Sequence, residues 1–260
     1  MGARPVPWFY GSKVRWFGGS VVRWFGGSVV RRQRAGWTER EGLPAAASYT
    51  RLMRVAVLVV ILTVSEEELR VLLIHRSGEP HQGMWALPGG LLREEETLSE
   101  AAARKLVEET GVHDVYLEQL YTFSGLGDEK GAVAVAHFAL IDTKRVRLRE
   151  EPVWEPQWFS IRDLPALAFD NDAVLESAIL RLRNKLEYTN VAYSLMPLEF
   201  TLSDLQSLYE TIFRRRFDKR NFRRRMLSQD IIRPTGRTFS GGAHRPAELF
   251  EFTSRQPMTL

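Results

Sequence analysis

The chain has 260 residues, of which 44% are hydrophobic and 26% charged, with no cysteine and a formal net charge of +4. This composition allows one sizeable core plus a small second domain, excludes disulfides and thiolate metal sites, and suits a reducing cytoplasm. The charge is segregated: residues 1–51 hold nine Lys/Arg against two Asp/Glu and residues 201–260 twelve against six, so residues 52–200 carry −9. An acidic middle suits divalent cations, and a basic end suits phosphates.

Residues 14–21 recur identically as residues 22–29, each reading VRWFGGSV. Eight residues is too short for a solenoid repeat, so residues 1–47 are expected to be a low-complexity leader, disordered or upstream of the true start. Val55 to Val64 is β-branched and apolar, too short to span a bilayer, and no membrane partner is expected. It predicts a buried strand that pairs, across a turn at Glu66-Glu67-Glu68, with Leu69 to Ile74. Further strands are expected at Val115–Phe123, Ala132–Ile141 and Val153–Phe159.

Between the second strand and these lies Gly89 to Val112: two glycines, an acidic turn at Glu94, Glu95 and Glu96, then a helix from Thr97 that stops at Gly111. Another helix should run from Asp172 to Leu186 with Val174, Leu175, Ala178, Ile179 and Leu182 on one face. After a connector at Tyr188–Pro197, Thr201 and Asp204 form a near capping box for a helix striped by Leu202, Leu205, Leu208, Tyr209 and Ile212. Asp218 caps the next helix, Lys219 to Ser228, which buries Phe222 and Met226. Ile231-Ile232, a turn at Gly241-Gly242 and Leu249–Phe252 complete a hairpin, so the order is that of a winged helix-turn-helix.

Two clusters carry chemistry. On the first helix, positions 105, 108 and 109 share a face, and a magnesium ion acting on phosphates needs several carboxylate oxygens. Near the C-terminus, Arg214 to Arg225 holds eight cations and one acid in twelve residues. There Asn221 and the arginines can address base edges, and the other cations the backbone phosphates.

Gly90, Glu96, Arg104, Leu106, Glu108, Glu109, Gly111 and Val112 stand at the spacing of the Nudix box, preceded by Trp85-Ala86-Leu87-Pro88-Gly89, and the stretch resembles that motif. The resemblance implies an α/β fold, an α/β/α sandwich with a mixed sheet, and a magnesium site at Glu96, Glu108 and Glu109. The departure is Lys105, which replaces a metal-binding glutamate with a cation, pairs by helical spacing with Glu109, and leaves only weak magnesium binding expected. Little or no hydrolysis is therefore expected, with Glu108 and Glu109 the candidates for any residual activity and an acid of Asp128-Glu129 a candidate further metal ligand. Arg76, Gly89 and Gly90 are the candidate nucleotide contacts, over a pocket whose floor is the Gly89 to Val112 stretch.

Residues 48–253 as a whole resemble the Nudix-related transcriptional regulators of NAD metabolism, called NrtR. The similarity extends to Leu164-Pro165, Leu167–Asp170, Phe200–Gln206, Asp218–Arg224 and Arg245–Phe250. It implies a nucleotide-sensing Nudix domain at 48–187 and a DNA-binding winged helix at 188–260, in a dimeric cytoplasmic repressor responsive to ADP-ribose or a related nucleotide. The DNA contacts are expected from Arg214, Arg216, Lys219, Arg220, Asn221, Arg223, Arg224, Arg225, Arg237 and Arg245, on a palindromic double-stranded operator. Ligand binding would favour a domain orientation that no longer fits both half-sites. Asn171 stands where a histidine is expected after Phe169-Asp170. The alternative is an active magnesium-dependent ADP-ribose pyrophosphatase.

Overall fold

The computed structural model describes residues 54–111, 113, 115–125, 132–142, 155–240 and 246–259. The repeat-bearing leader, the Asp128-Glu129 loop, the Gly241-Gly242 turn and Arg245 lie outside these residues. Residues Leu52–Leu260 form one compact unit.

Strand β1 (Val55–Ser65) is apolar without alternation because both its faces are covered. Val57, Val59 and Ile61 pack with Ala101, Ala102 and Leu106 of helix α1 (Leu98–Thr110). Val60 and Leu62 point the other way, into a cluster with Val174, Leu175, Ala178 and Leu182 of α2 (Asn171–Tyr188). Strand β2 (Glu68–His75) returns antiparallel from a two-residue turn in which Glu66 and Glu67 both take left-handed backbone, at φ 52° and 58°. Such primed turns match the right-handed twist of the strands they join.

Five further strands complete a seven-stranded mixed sheet: β3 (Trp85–Ala86), β4 (Gly89–Leu91), β5 (Tyr116–Ser124), β6 (Val133–Leu140) and β7 (Pro156–Ser160). Its path is β3-β2-β1-β6-β5, with β4 on β1 and β7 on β2. Pairing of β1 with β6 is parallel, from Val55 opposite Val133 to Leu62 opposite Leu140, and β5 with β6 is antiparallel. With α1 on one face and α2 on the other, this is the expected α/β/α sandwich.

The second part begins with β8 (Phe200–Thr201), α3 (Leu202–Phe213) and α4 (Lys219–Ser228), followed by β9 (Ile232–Phe239) and β10 (Ala247–Phe252). The wing is a three-stranded sheet in the order β8-β10-β9; its third strand, β8, is too short to have been read from periodicity. Thr201 and Asp204 do form a capping box, with bonds of 2.8 and 3.2 Å, and Asp218 accepts from the Asn221 N–H at 2.9 Å.

The connector is not a solvated linker. Val191 to Ser194 form a 3₁₀ turn, and Val191, Ala192, Tyr193, Leu195 and Met196 are buried. Its Asn190 is buried as well: its amide donates to the carbonyls of Ser254 and Gln256 at 3.0 Å each, and its Oδ1 accepts from the Met258 N–H at 2.8 Å. The C-terminal residues thus clamp the connector. One hydrophobic cluster runs from Val60, Leu62 and Val71 of the large sheet through Leu205, Leu208, Tyr209 and Ile212 of α3 to Phe222, Phe250 and Phe252. Among the described residues no helix is long and apolar enough to cross a membrane.

Candidate functional site

Helix α1 is fixed at both ends by its own sequence. The Thr97 N–H donates to Glu100 at 2.7 Å and Thr97 Oγ1 accepts from the Glu100 N–H at 3.2 Å, a reciprocal cap. Gly111 ends the helix at φ 67°. The cap sets Arg104 over Glu96: its guanidinium makes a two-pronged contact at 2.9 and 2.6 Å and reaches Glu108 Oε1 at 3.1 Å. The hydrogen bond from Arg104 pulls the Glu96 carboxyl down to about 2. Lys105 meets the other Glu108 oxygen at 2.7 Å, an i+3 pair where helical spacing alone pointed to Glu109 at i+4. Burial pushes Glu108 up, but Lys105 and Arg104 outweigh it and hold the group below its ordinary value. Glu109 is 3% exposed on the inner face.

A magnesium ion would need the oxygens that these cations already hold. Both oxygens of Glu96 and both of Glu108 are engaged by Arg104 and Lys105, and Arg93 stands 3.7 Å from Glu108. Among the described residues no group of three or more His, Cys, Asp or Glu is arranged to hold a metal ion. The cations thus occupy the Glu96 and Glu108 oxygens that an ion at the expected site would use.

Arg76, Gly89 and Gly90 are brought together, on the opposite side of β4 from Lys105. They line a cavity of about 300 Å³ with Arg54, Phe169 and Asn171. A Cβ on Gly89 would lie 2.6 Å from a Leu58 methyl and 2.8 Å from the Val57 carbonyl, so close approach of β4 to β1 requires glycine there. A Cβ on Gly90 would stand 3.0 Å from Lys105 Cε, on the α1 side. The floor of the cavity is therefore the sheet and the glycine edge, and α1 lies behind it. This corrects the expectation that the whole stretch forms the floor.

Arg76 is partly committed. Its Nε donates to the Pro80 carbonyl at 3.0 Å, and its guanidinium lies 4.6 Å over the Phe169 ring. Burial lowers its pKa, against the pull of Glu79. Phe169 and Asp170 both take left-handed backbone, at φ 57° and 53°, and lead into α2. That unfavourable local geometry turns Phe169 toward Arg76 and the cavity. Asn171, almost fully buried, accepts from the Leu87 N–H at 2.8 Å and so ties the β3–β4 link to α2. Arg54 and Phe169 were missed as site residues; Phe169 stands in a recognised motif, but its turn toward the cavity depends on a backbone conformation that residue type does not announce.

On α4, Phe222 and Met226 are buried and every other side chain is exposed. Arg220, Asn221 and Arg224 face outward, and Arg224 Nη2 donates to Asn221 Oδ1 at 3.0 Å. The remaining cations differ in what they meet. Arg216 pairs with Glu210 at 2.8 Å, Arg223 with Glu248 at 3.5 Å, and Arg237 with Glu199. Arg225 donates to the Glu187 carbonyl at the end of α2 at 3.3 Å, and Arg214 is the left-handed cap of α3 beside Arg183. Lys219 is exposed in the first turn. Arg215, not singled out from the sequence, lies 5.4 and 4.9 Å over the rings of Phe213 and Phe217.

Residues 52–178 match the family model described as NUDIX domain, and residues 192–252 the one described as NrtR DNA-binding winged helix domain. Over 200 residues the chain is 38% identical to the ADPR responsive transcriptional repressor NtrR of Acinetobacter baylyi, covering 75% of this chain and 80% of that protein. It is 29% identical over 119 residues, 45% of this chain and 70% of the other, to the ADP-ribose pyrophosphatase of Methanocaldococcus jannaschii. The structure of Shewanella oneidensis NrtR complexed with a 27mer DNA matches at TM-score 0.69 and 32% identity, over 76% of this chain and 93% of that one.

Proposed function

The chain belongs to the NrtR family, and on that premise we infer that it is a DNA-binding transcriptional repressor whose Nudix domain takes ADP-ribose as effector. One observation carries the reading. A Nudix cavity and a helix with outward arginines occur in one compact unit, in a chain similar over most of its length to an ADP-ribose-responsive repressor.

Residues 48–187 are the sensing part and residues 188–260 the DNA-binding part. In the first, Arg76 and the Gly89-Gly90 edge border the place of the diphosphate. In the second, Arg220, Asn221 and Arg224 address base edges, while Arg216, Lys219, Arg223, Arg237 and Arg245 address the backbone. Arg214 and Arg225 serve the junction with α2. Two protomers present their α4 helices to successive major grooves of a palindromic operator in genes of NAD metabolism, in the cytoplasm. Because one hydrophobic cluster joins the two parts of each protomer, the orientation that the effector changes is that of the protomers relative to each other.

Hydrolysis is not part of this function. Arg104 and Lys105 fill the oxygens of Glu96 and Glu108, so bound nucleotide is sensed and released intact. The test is a mobility shift of the full chain on its own upstream DNA, with and without ADP-ribose, in EDTA and in magnesium. A shift that ADP-ribose abolishes in both buffers supports the reading, and no shift in any condition overturns it. Magnesium-dependent release of AMP, lost in Glu108→Gln or Glu109→Gln, would establish the pyrophosphatase alternative instead.

A further inference from the structure

Leu227 is the one α4 side chain whose exposure the charge pattern does not explain. It is 38% exposed and belongs to none of the apolar clusters, nor to the half-buried residues packed against them. On a helix of 3.6 residues per turn it lies about 20° from Arg220 and about 60° from Arg224 around the axis, away from Phe222 and Met226. An isolated leucine therefore stands within a stripe of arginines.

We propose that Leu227 reads the 5-methyl group of a thymine in the major groove, next to the base addressed by Arg224. The inference rests on α4 being the helix that enters the groove. Leu227 is three residues beyond Arg224, about 4.5 Å along the axis, which is close to the rise of about 3.4 Å between base pairs. Arg224 is held by Asn221 at 3.0 Å, which leaves the rest of its planar donor fork for a guanine edge. The thymine edge offers one apolar group, its methyl, and an aliphatic side chain fits it. Cytosine in the same place carries only a hydrogen at C5, so the methyl contact with Leu227 is lost. Leu227 is thus a specificity-determining residue rather than a general affinity residue.

The experiment uses duplexes enriched by the full chain from a random pool, resynthesised with deoxyuridine in place of one thymidine at a time. Deoxyuridine keeps the pairing and removes only the methyl. For the natural chain, one position in each half-site should weaken binding about four-fold, the value of one buried carbon. Leu227→Ala should bind both duplexes equally, at the weakened level, while Leu227→Met keeps the discrimination. The inference is overturned if no thymidine shows the effect, or if it persists in Leu227→Ala. It is also overturned if Leu227→Ala changes only the oligomeric state in sedimentation, since the leucine would then meet a second copy. A chain that enriches no duplex overturns the DNA-binding reading and this inference with it, whereas enrichment without a methyl effect removes this inference alone.

Discussion

On α1, Arg104 and Lys105 stand 2.6 and 2.7 Å from Glu96 and Glu108, whereas on α4 the cations of Arg220 and Arg224 have no carboxylate among their described contacts. Both helices are crowded with charge, and a count of residues does not separate them. Position does: the α1 cluster lies against β4 and closes on itself, while the α4 cluster faces solvent around two buried side chains. A self-neutralised cluster adds cohesion and loses metal affinity. One with cations left outward, such as Arg220 and Arg224, keeps its field for a polyanion.

The largest change should come from opening the α1 cluster. Arg104→Ala removes the two-pronged partner of Glu96 and leaves Glu108 with Lys105, and it should lower the urea midpoint of the fold. On α4, Arg224→Ala should weaken operator binding by about 1–3 kcal/mol and flatten the salt dependence by about one unit of slope, with stability unchanged. Equal effects on stability from both substitutions would abolish the distinction between the helices. Lys105→Glu returns a third carboxylate to the cluster. Magnesium at ten times its dissociation constant should then stabilise the variant by about 1.4 kcal/mol, read as a rise in melting temperature, and leave the natural chain unmoved. Arg225→Ala should show that cations on one helix differ: because it caps α2, it should cost stability by about 0.5–1 kcal/mol and change operator affinity little.

The pH profile separates two further groups. Glu96 is held near 2 in the fold, so its contribution is present above the ordinary glutamate range and is lost as pH falls from there toward 2. His137 on β6 is buried, and burial lowers its pKa below 6.5 against the weaker opposing pull of the Val135 backbone. The unfolded chain therefore takes up the proton first, and stability should fall as pH drops below 6.5. His137→Phe should remove that part of the slope in urea titrations at successive pH values; an unchanged slope would assign it elsewhere.

Much of this was legible because local rules governed it. The caps at Thr97, Gly111, Thr201 and Asp218 formed where residue type demanded, and Phe222 and Met226 turned inward as i, i+4 spacing requires. That Lys105 meets Glu108 was not read from the sequence, because i+3 and i+4 are both neighbours on a helix and spacing alone does not choose between them. The burial of the connector was not legible, because a short stretch without periodicity carries no sign of the C-terminal residues that pack on it.

The sequence by itself determined the order of elements, their ends, and the segregation of acid from base, all of which depend on neighbours a few residues apart. Tertiary structure decided which side of β4 faces the cavity, which arginines remain outward, and that one hydrophobic cluster joins sensor to reader. Those outcomes depend on contacts between residues far apart in the chain, such as Asn190 with Met258 and Leu87 with Asn171. Such contacts leave no periodic trace, because each is one pair whose partners are selected by packing and hydrogen-bond geometry.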